Sequence, residues 1–411
     1  MTIRDLIKDK DKAAEEIIAE ITHICKDFEK RSPGTAGELQ AAEYYKQVLL
    51  EECGCDEAYV ESFKENPGSF YGWIPMDVTA ALASIGIYSK APGVSAGLLT
   101  GALGIALTQF GLYWKVVDKL FPEKTGHNVT AFKKPTGEIK RRIIFNGHLD
   151  AAWEWPVNYA LGGVGFEAHA ILGFSSLAYY LVLSALGIKK SGPFSAITDA
   201  GILKAGKYGY AFIPFLIGLY GMVNYRRIVD GANDNLTGCE MGVEILRKLE
   251  EAGIDLEHTE IGVVLTGSEE AGLRGAKAWC EAHKGEFQDV PTYIYSYDTI
   301  HDPKQLMVNY RDLNGTVKAD KDVSDLFLNA AQDIDIFCKK GWVPPLGGAT
   351  DSAAFAQGGF KVTGITGLNH KLESYYHTRK DSYDNLSAQG IADCYAVSLE
   401  TLAQFDEGVE D

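Results

Sequence analysis

Apolar residues recur at three- and four-residue intervals from Ala13 to Glu29 and again from Glu38 to Glu52, with charged residues between them. That spacing lays one apolar stripe along a helix, so it predicts two amphipathic helices separated by the break Arg31-Ser32-Pro33-Gly34. Further on, compact apolar runs bounded by turn residues predict buried strands at Arg142–Asn146, Ile261–Thr266, Tyr293–Tyr297 and Lys361–Thr366. Helices are predicted between them, at Gly238–Glu251 and Leu273–His283. Strands alternating with helices imply an α/β fold, a sandwich of helices around a largely parallel mixed sheet.

Three windows break that pattern. Residues 91–114, 168–188 and 208–225 contain no Asp, Glu, Lys or Arg, and a weaker apolar stretch from Ile74 to Ser89 carries only Asp77. Roughly 18 or more uncharged apolar residues can cross a bilayer as a helix. The four segments pair into two hairpins, one turning at Lys90-Ala91-Pro92-Gly93 and one through the polar linker Lys189 to Lys207. An even number of crossings returns the chain to one side, so a single domain can be assembled from the pieces around them. The expected division is therefore a catalytic domain in residues 1–73, 116–160 and 226–411, with hairpins at 74–115 and 161–225. Gly93, Gly97 and Gly101 recur every four residues, which lets helix backbones approach closely in lipid, and Phe70, Tyr71, Trp73, Tyr113, Trp114, Tyr208, Tyr210 and Tyr225 suit an aromatic belt. The alternative is that these helices are buried in a large soluble protein or in the interface of a homo-oligomer.

Charge narrows the function. Against 56 Asp and Glu the chain has 39 Lys and Arg, a formal net charge of −17, which repels phosphate backbones and argues against a nucleic-acid partner. The 7 cysteines are scattered, and Cys53 and Cys55 stand too close for zinc-ribbon or redox spacings, so they read as reduced thiols. Early charges at Arg4, Asp5, Lys8, Asp9 and Lys10 predict no cleaved leader. The expected location is a membrane with the catalytic domain on the cytoplasmic side, or else the soluble cytoplasm.

Candidate chemistry follows the strands. At the end of the run Ile143-Ile144-Phe145 comes Asn146-Gly147-His148-Leu149-Asp150, which sets an imidazole and a carboxylate two residues apart on one face of a strand. Such a carboxylate can hold one ring nitrogen while the other binds a metal. Gly231-Ala232-Asn233-Asp234-Asn235 places an acid in a loop before a helix, where the ordinary role is an N-cap. Glu269 and Glu270 are adjacent at a strand end, one able to ligate a cation and the other to reach a water. Asp298 ends the strand Tyr293–Tyr297, and Tyr375-Tyr376-His377-Thr378 lies beyond it. The ordered set His, Asp, Glu-Glu, Asp, His lies where open α/β sheets build their sites, outside the carboxyl ends of strands.

With these residues in place the chain resembles the M28 metallopeptidases, which include zinc aminopeptidases. The likeness covers Arg31-Ser32-Pro33-Gly34, His148 to Asp150 and nearly everything from Gly231 onward, and it skips the apolar hairpins. The resemblance implies two divalent ions, zinc being the best match. His148 and Asp298 would hold one, Glu270 and His377 the other, with Asp234 bridging. Glu269 would be the general base and Asp150 the carboxylate orienting His148. Thr350-Asp351-Ser352-Ala353-Ala354-Phe355 departs from the family, since Ser352 stands where many members have histidine. Asp351, Tyr376 and Glu373 are the candidates for substrate contact, while His258, His283, His301 and His370 match no ligand position and read as solvated or packing residues.

The expected activity is a two-metal exopeptidase, an aminopeptidase acting on short peptides. Two other readings stand beside it: a glutaminyl-cyclase-like acyl transfer on the same scaffold, and a membrane scaffold without catalysis.

Overall fold

The structure, a computed structural model, describes residues 1–369 and 373–408, which leaves His370 outside the described residues. The chain forms two units. One is built from Met1–Pro67, Glu123–Trp153 and the chain from Arg227 onward, the other from Gly68–Pro122 and Glu154–Arg226.

The first unit is organised by an eight-stranded sheet. Its strands in chain order are β1 (Glu57–Glu65), β2 (Lys124–Lys133), β3 (Arg141–His148), β4 (Thr259–Thr266), β5 (Thr292–Ile300), β6 (Met307–Asn309), β7 (Lys339–Gly341) and β8 (Lys361–Gly367). They lie in the order β1-β2-β4-β3-β5-β8-β6-β7. The four central strands run parallel, with Phe145 opposite Val263 on one side and Tyr295 on the other, and Gly364 opposite Ser296. Antiparallel strands β1 and β2 extend one side, pairing Val60 with Val129 and Ala131 with Val263.

Successive strand residues face opposite ways, so the two faces bury different cores. Ile143 and Phe145 join the larger core, which also takes the apolar stripes of the helices Lys10–Asp27, Ala36–Glu51, Thr237–Ala252, Lys321–Asp333 and Ala388–Glu407. Helices Arg274–Ala282 and Asp351–Gln357 bring Trp279 and Phe355 together, and Phe360 and Phe287 pack against the same indole. Trp279 anchors this layer to the sheet by donating its ring N–H to Thr130 Oγ1 at 3.0 Å. The fold is the expected α/β sandwich, with each predicted central strand present and extended by one to four residues. All seven cysteines are free thiols.

The second unit is helical. Three of its helices are long and apolar enough to cross a membrane by length and composition: Ser69–Ile87, Pro92–Gly111 and Pro156–Ser191. The last is interrupted at Gly162, whose φ of 68° is left-handed. The window 208–225, expected to form a matching fourth limb, is instead a series of short pieces, Ala200–Tyr208, Gly209–Phe212, Ile213–Gly218 and Leu219–Gly221. Pro214 lacks an amide proton, and the glycines at 206, 209, 218 and 221 weaken the helix around it. Ser184 Oγ lies 2.9 Å from Ser95 Oγ, which donates to the Ser84 carbonyl, tying three helices at a buried polar point.

Candidate metal centre

The side chains of the ordered set leave five separate segments at one end of the parallel strands, Glu269 and Glu270 sharing one. His148 is the last residue of β3. The preceding Gly147 makes its position possible, because a Cβ there would sit 2.4 Å from the Gly238 carbonyl carbon. The strand thus touches the first turn of helix Thr237–Ala252, and the loop before that helix carries Asp234. Gly231, in the left-handed region at φ 61°, starts the loop. The N-cap of the helix is Leu236, with no side-chain cap, so Asp234 is not spent on capping.

Asp234 faces both imidazoles. Its Oδ1 lies 3.1 Å from His148 Nε2 and its Oδ2 lies 3.1 Å from His377 Nε2. His377 Nε2 is also 3.1 Å from Glu270 Oε1. Glu269 and Glu270 form a short turn after β4, and Glu269 Oε2 is 3.9 Å from His148 Nε2. Ligand atoms of His148, Asp234 and Glu270 all lie within 4.8 Å of one another. Asp298 is buried near the end of β5, and its Oδ1 accepts a 2.7 Å bond from Thr299 Oγ1.

Asp150 does more than the sequence implied. The His148 ring nitrogen Nδ1 sits 3.1 Å from the Asp150 main-chain carbonyl and 3.5 Å from its carboxylate. The carboxylate itself accepts the backbone N–H groups of Glu269 at 2.9 Å and Glu270 at 3.0 Å. One residue therefore fixes both the imidazole and the glutamate turn.

Electrostatics favour a cation here. Asp234, Glu269, Glu270, Asp298 and Asp351 are all buried around two imidazoles. Burial, reinforced by the charge of Asp234, pushes Asp298 up to about 7. Glu269 is raised well above the carboxylate range, first by burial and then by Asp351, Asp298 and Glu270, with His148 opposing. Burial pulls His377 down, but Glu270 and Asp234 outweigh it and hold it at about 10. Asp234 Oδ2 and Glu270 Oε1 are buried and converge on His377 Nε2, at 3.1 Å each. Buried carboxylate oxygens brought together in this way are costly unless something positive sits between them. Imidazole nitrogens converging on carboxylates suit a zinc-like divalent ion, so these residues fit the metal that the resemblance implies.

All three candidates for substrate contact lie among the described residues. Asp351 opens helix Asp351–Gln357, accepts from Thr266 Oγ1 and leaves its buried Oδ1 without a hydrogen bond. Burial raises Asp351 to about 6, with His148 opposing. Tyr376 stacks on the His377 ring at 4.1 Å. Glu373 is half-buried and holds the Tyr376 N–H on its main-chain carbonyl. Ser352, in the place of the family histidine, donates to Asp312 Oδ2 at 2.7 Å.

Sequence reasoning missed several supports. Asp381 accepts the Asn233 backbone N–H at 2.7 Å and that of Asp234 at 3.3 Å, fixing the bridging loop. In sequence it ends Arg379-Lys380-Asp381, which looks like a solvated charge run. Arg31 is buried and donates to the carbonyls of Leu149, Asp230 and Gly231, clamping the His148 and Asp234 loops together. The Arg31-Ser32-Pro33-Gly34 stretch, already part of the family resemblance, was the available signal. Three of the histidines that match no ligand position are described and make contacts elsewhere: His283 lies between Glu61 and Glu286, His258 against the Glu138 carbonyl and His301 against Asn233.

Residues 220–402 match the model of peptidase family M28. No curated protein sequence matches the chain. Among solved structures, the zinc aminopeptidase BSAP of Bacillus subtilis is similar at 14% identity and a TM-score of 0.56, over 95% of each chain. An aminopeptidase from Aneurinibacillus sp. strain AM-1 gives 13% identity and 0.56, over 95% of this chain and 93% of that one. A glutaminyl cyclase of Bacteroides thetaiotaomicron gives 12% and 0.54, over 95% and 97%. At such identities the likeness is one of fold.

Proposed function

Taking residues 220–402 as a segment of peptidase family M28, we propose that this chain is a metal-dependent aminopeptidase that removes residues from the free N-terminus of peptides. One observation carries the reading: the two oxygens of Asp234 each meet a different imidazole at 3.1 Å, the arrangement expected of a carboxylate shared by two cations. His148 and Asp298 would hold one ion and Glu270 and His377 the other. Zinc held there would supply Lewis acidity, lowering the pKa of the attacking water and polarising the scissile carbonyl.

The rest of the reaction belongs to the chain's own side chains. Glu269 takes the proton of the water on its carboxylate and returns it to the leaving amine. Asp150 keeps Glu269 aimed by holding its backbone N–H. Asp351 offers its unpaired Oδ1 to the ammonium of the substrate, which fixes the scissile bond one residue from the N-terminus. Tyr376, stacked on His377, walls the site beside that imidazole. The helical unit would sit in a lipid bilayer, since Val164 is 78% exposed and Ile171 56% on its long helix while Ser84, Ser95 and Ser184 are buried.

Peptides with a free and an acetylated N-terminus separate the readings. Release of the first residue from the free peptide alone supports the aminopeptidase. Cyclisation of an N-terminal glutamine with loss of ammonia, without hydrolysis, supports a glutaminyl cyclase instead. Release of the protein from membranes by a carbonate wash would overturn the bilayer assignment.

A further inference from the structure

Ser268 precedes the two site glutamates and adopts a left-handed backbone at φ 55° without being glycine. Its Oγ lies 2.7 Å from Glu38 Oε2 and 2.7 Å from Glu65 Oε1, and all three residues are buried. A hydroxyl has one proton, so it can donate to only one of these oxygens. The second contact at that length needs a proton from a carboxyl group, because two bare carboxylate oxygens cannot share a single donor without repulsion.

The partners of each acid decide which one carries it. Glu38 already accepts the His127 backbone N–H on Oε1 at 2.9 Å and the Gly34 N–H on Oε2 at 3.2 Å. Burial pushes Glu38 up, but His127 beside it and donors on both its oxygens oppose that and favour its ionised form over that of Glu65. Glu65 Oε2 is buried with no hydrogen bond, and its Oε1 is packed where a Cβ on Gly34 or Gly126 would come to 2.8 or 3.1 Å. We infer that Glu65 is an uncharged carboxylic acid that donates to Ser268, which in turn donates to the Glu38 carboxylate, and that this chain positions the Glu269–Glu270 turn. The groups facing it are His127 on β2, whose Nδ1 lies 3.4 Å from Glu38 Oε1, Asp150 after β3, and Arg274 on helix Arg274–Ala282, whose Nε donates to the Ala271 carbonyl. Burial, then the charges of Glu38 and Asp150, push Glu65 up to about 8 against the pull of Arg274.

Its consequence for turnover rests on Glu269 being the general base, whereas its consequence for stability does not. A carboxyl near 8 in the folded chain and near 4.5 when unfolded keeps a proton that the unfolded chain releases, so its contribution to stability falls as pH rises through that interval. Full-length protein is compared as wild type, Glu65→Gln, Glu65→Ala and Glu38→Gln, reading thermal midpoint from pH 5 to 8 and kcat. Glutamine at 65 supplies the N–H that the acid supplied, so it should restore the kcat lost in Glu65→Ala and should gain stability relative to wild type as pH rises. Glutamine at 38 turns an NH2 towards a backbone donor whichever way the amide flips, and should lower both the midpoint and kcat, the latter about tenfold or more. A tolerated Glu38→Gln beside a damaging Glu65→Gln, or a Glu65→Gln midpoint that tracks wild type across pH, would overturn the inference. If the wild type cleaves no peptide, the midpoints alone still decide the proton's place.

Discussion

The two units differ in where they gather buried polar side chains and in which apolar side chains they leave exposed. In the sheet-based unit the interior is a broad apolar core, and its buried acids gather at the strand ends, where imidazoles and backbone N–H groups meet them. In the helical unit small hydroxyls meet inside, at Ser84, Ser95 and Ser184, while Val164, Ile171 and Val182 face outward with more than half their surface exposed. The first distribution suits water outside, because apolar area leaves it. The second suits lipid outside, where apolar burial gains nothing and polar contacts hold helices together. On the proposed reading the chain would follow two solvent rules, with the candidate site in the unit that follows the aqueous one.

The largest expected effect tests where the chemistry lies. Glu269→Gln should cut kcat about 10²- to 10⁴-fold with bound metal unchanged, measured by peptide hydrolysis and metal analysis side by side. A substitution on the helical unit tests the other half of the contrast. Ile171→Lys should cost insertion about 2.5–3.5 kcal/mol if the helix lies in a bilayer, and reduce the membrane fraction accordingly. If that face meets water, the same change at a half-exposed position should shift stability by no more than about 0.5 kcal/mol.

Smaller effects sharpen the aqueous side. Asp351→Asn should raise KM for peptides with a free N-terminus about 10- to 100-fold and leave acetylated peptides uncleaved, as expected from losing one charged hydrogen bond. Glu240, fully buried with Oε1 2.6 Å from the Tyr45 hydroxyl, is pushed up to about 8 by burial. Its folded value lies above its unfolded one, so the protein should lose stability as pH rises from about 4.5 to 8, and Glu240→Gln should flatten part of that slope in thermal melts.

The central strands and their helices were legible because their patterns are local. Four apolar runs predicted four parallel strands, and the residues beyond their ends, together with the family resemblance, supplied the candidate ligand set. Strands β1 and β2 were not legible: β1 alternates half-buried and exposed positions and carries Glu57, Glu61, Lys64 and Glu65, so its pattern reads as a solvated segment. The limb expected at 208–225 was misread for a related reason. Absence of charge measures compatibility with lipid, whereas helix continuity is decided by Pro214 and the glycines near it. Within the site, spacing revealed His148 and Asp150 as neighbours but not the bond from Asp150 to the glutamate turn, which joins residues 119 and 120 positions apart. Arg31 and Asp381 act likewise across long sequence distances, holding backbone groups that no motif marks.

The claim on which the account depends is that His148, Asp234, Glu270, Asp298 and His377 grip two cations at once. Metal content per chain, measured for wild type, His148→Ala and His377→Ala after removal of loosely bound ions, tests it most directly. Two equivalents in the wild type and a loss of one or more in each variant is the predicted result. A wild type that retains no metal, or variants that bind as much as the wild type, would contradict it.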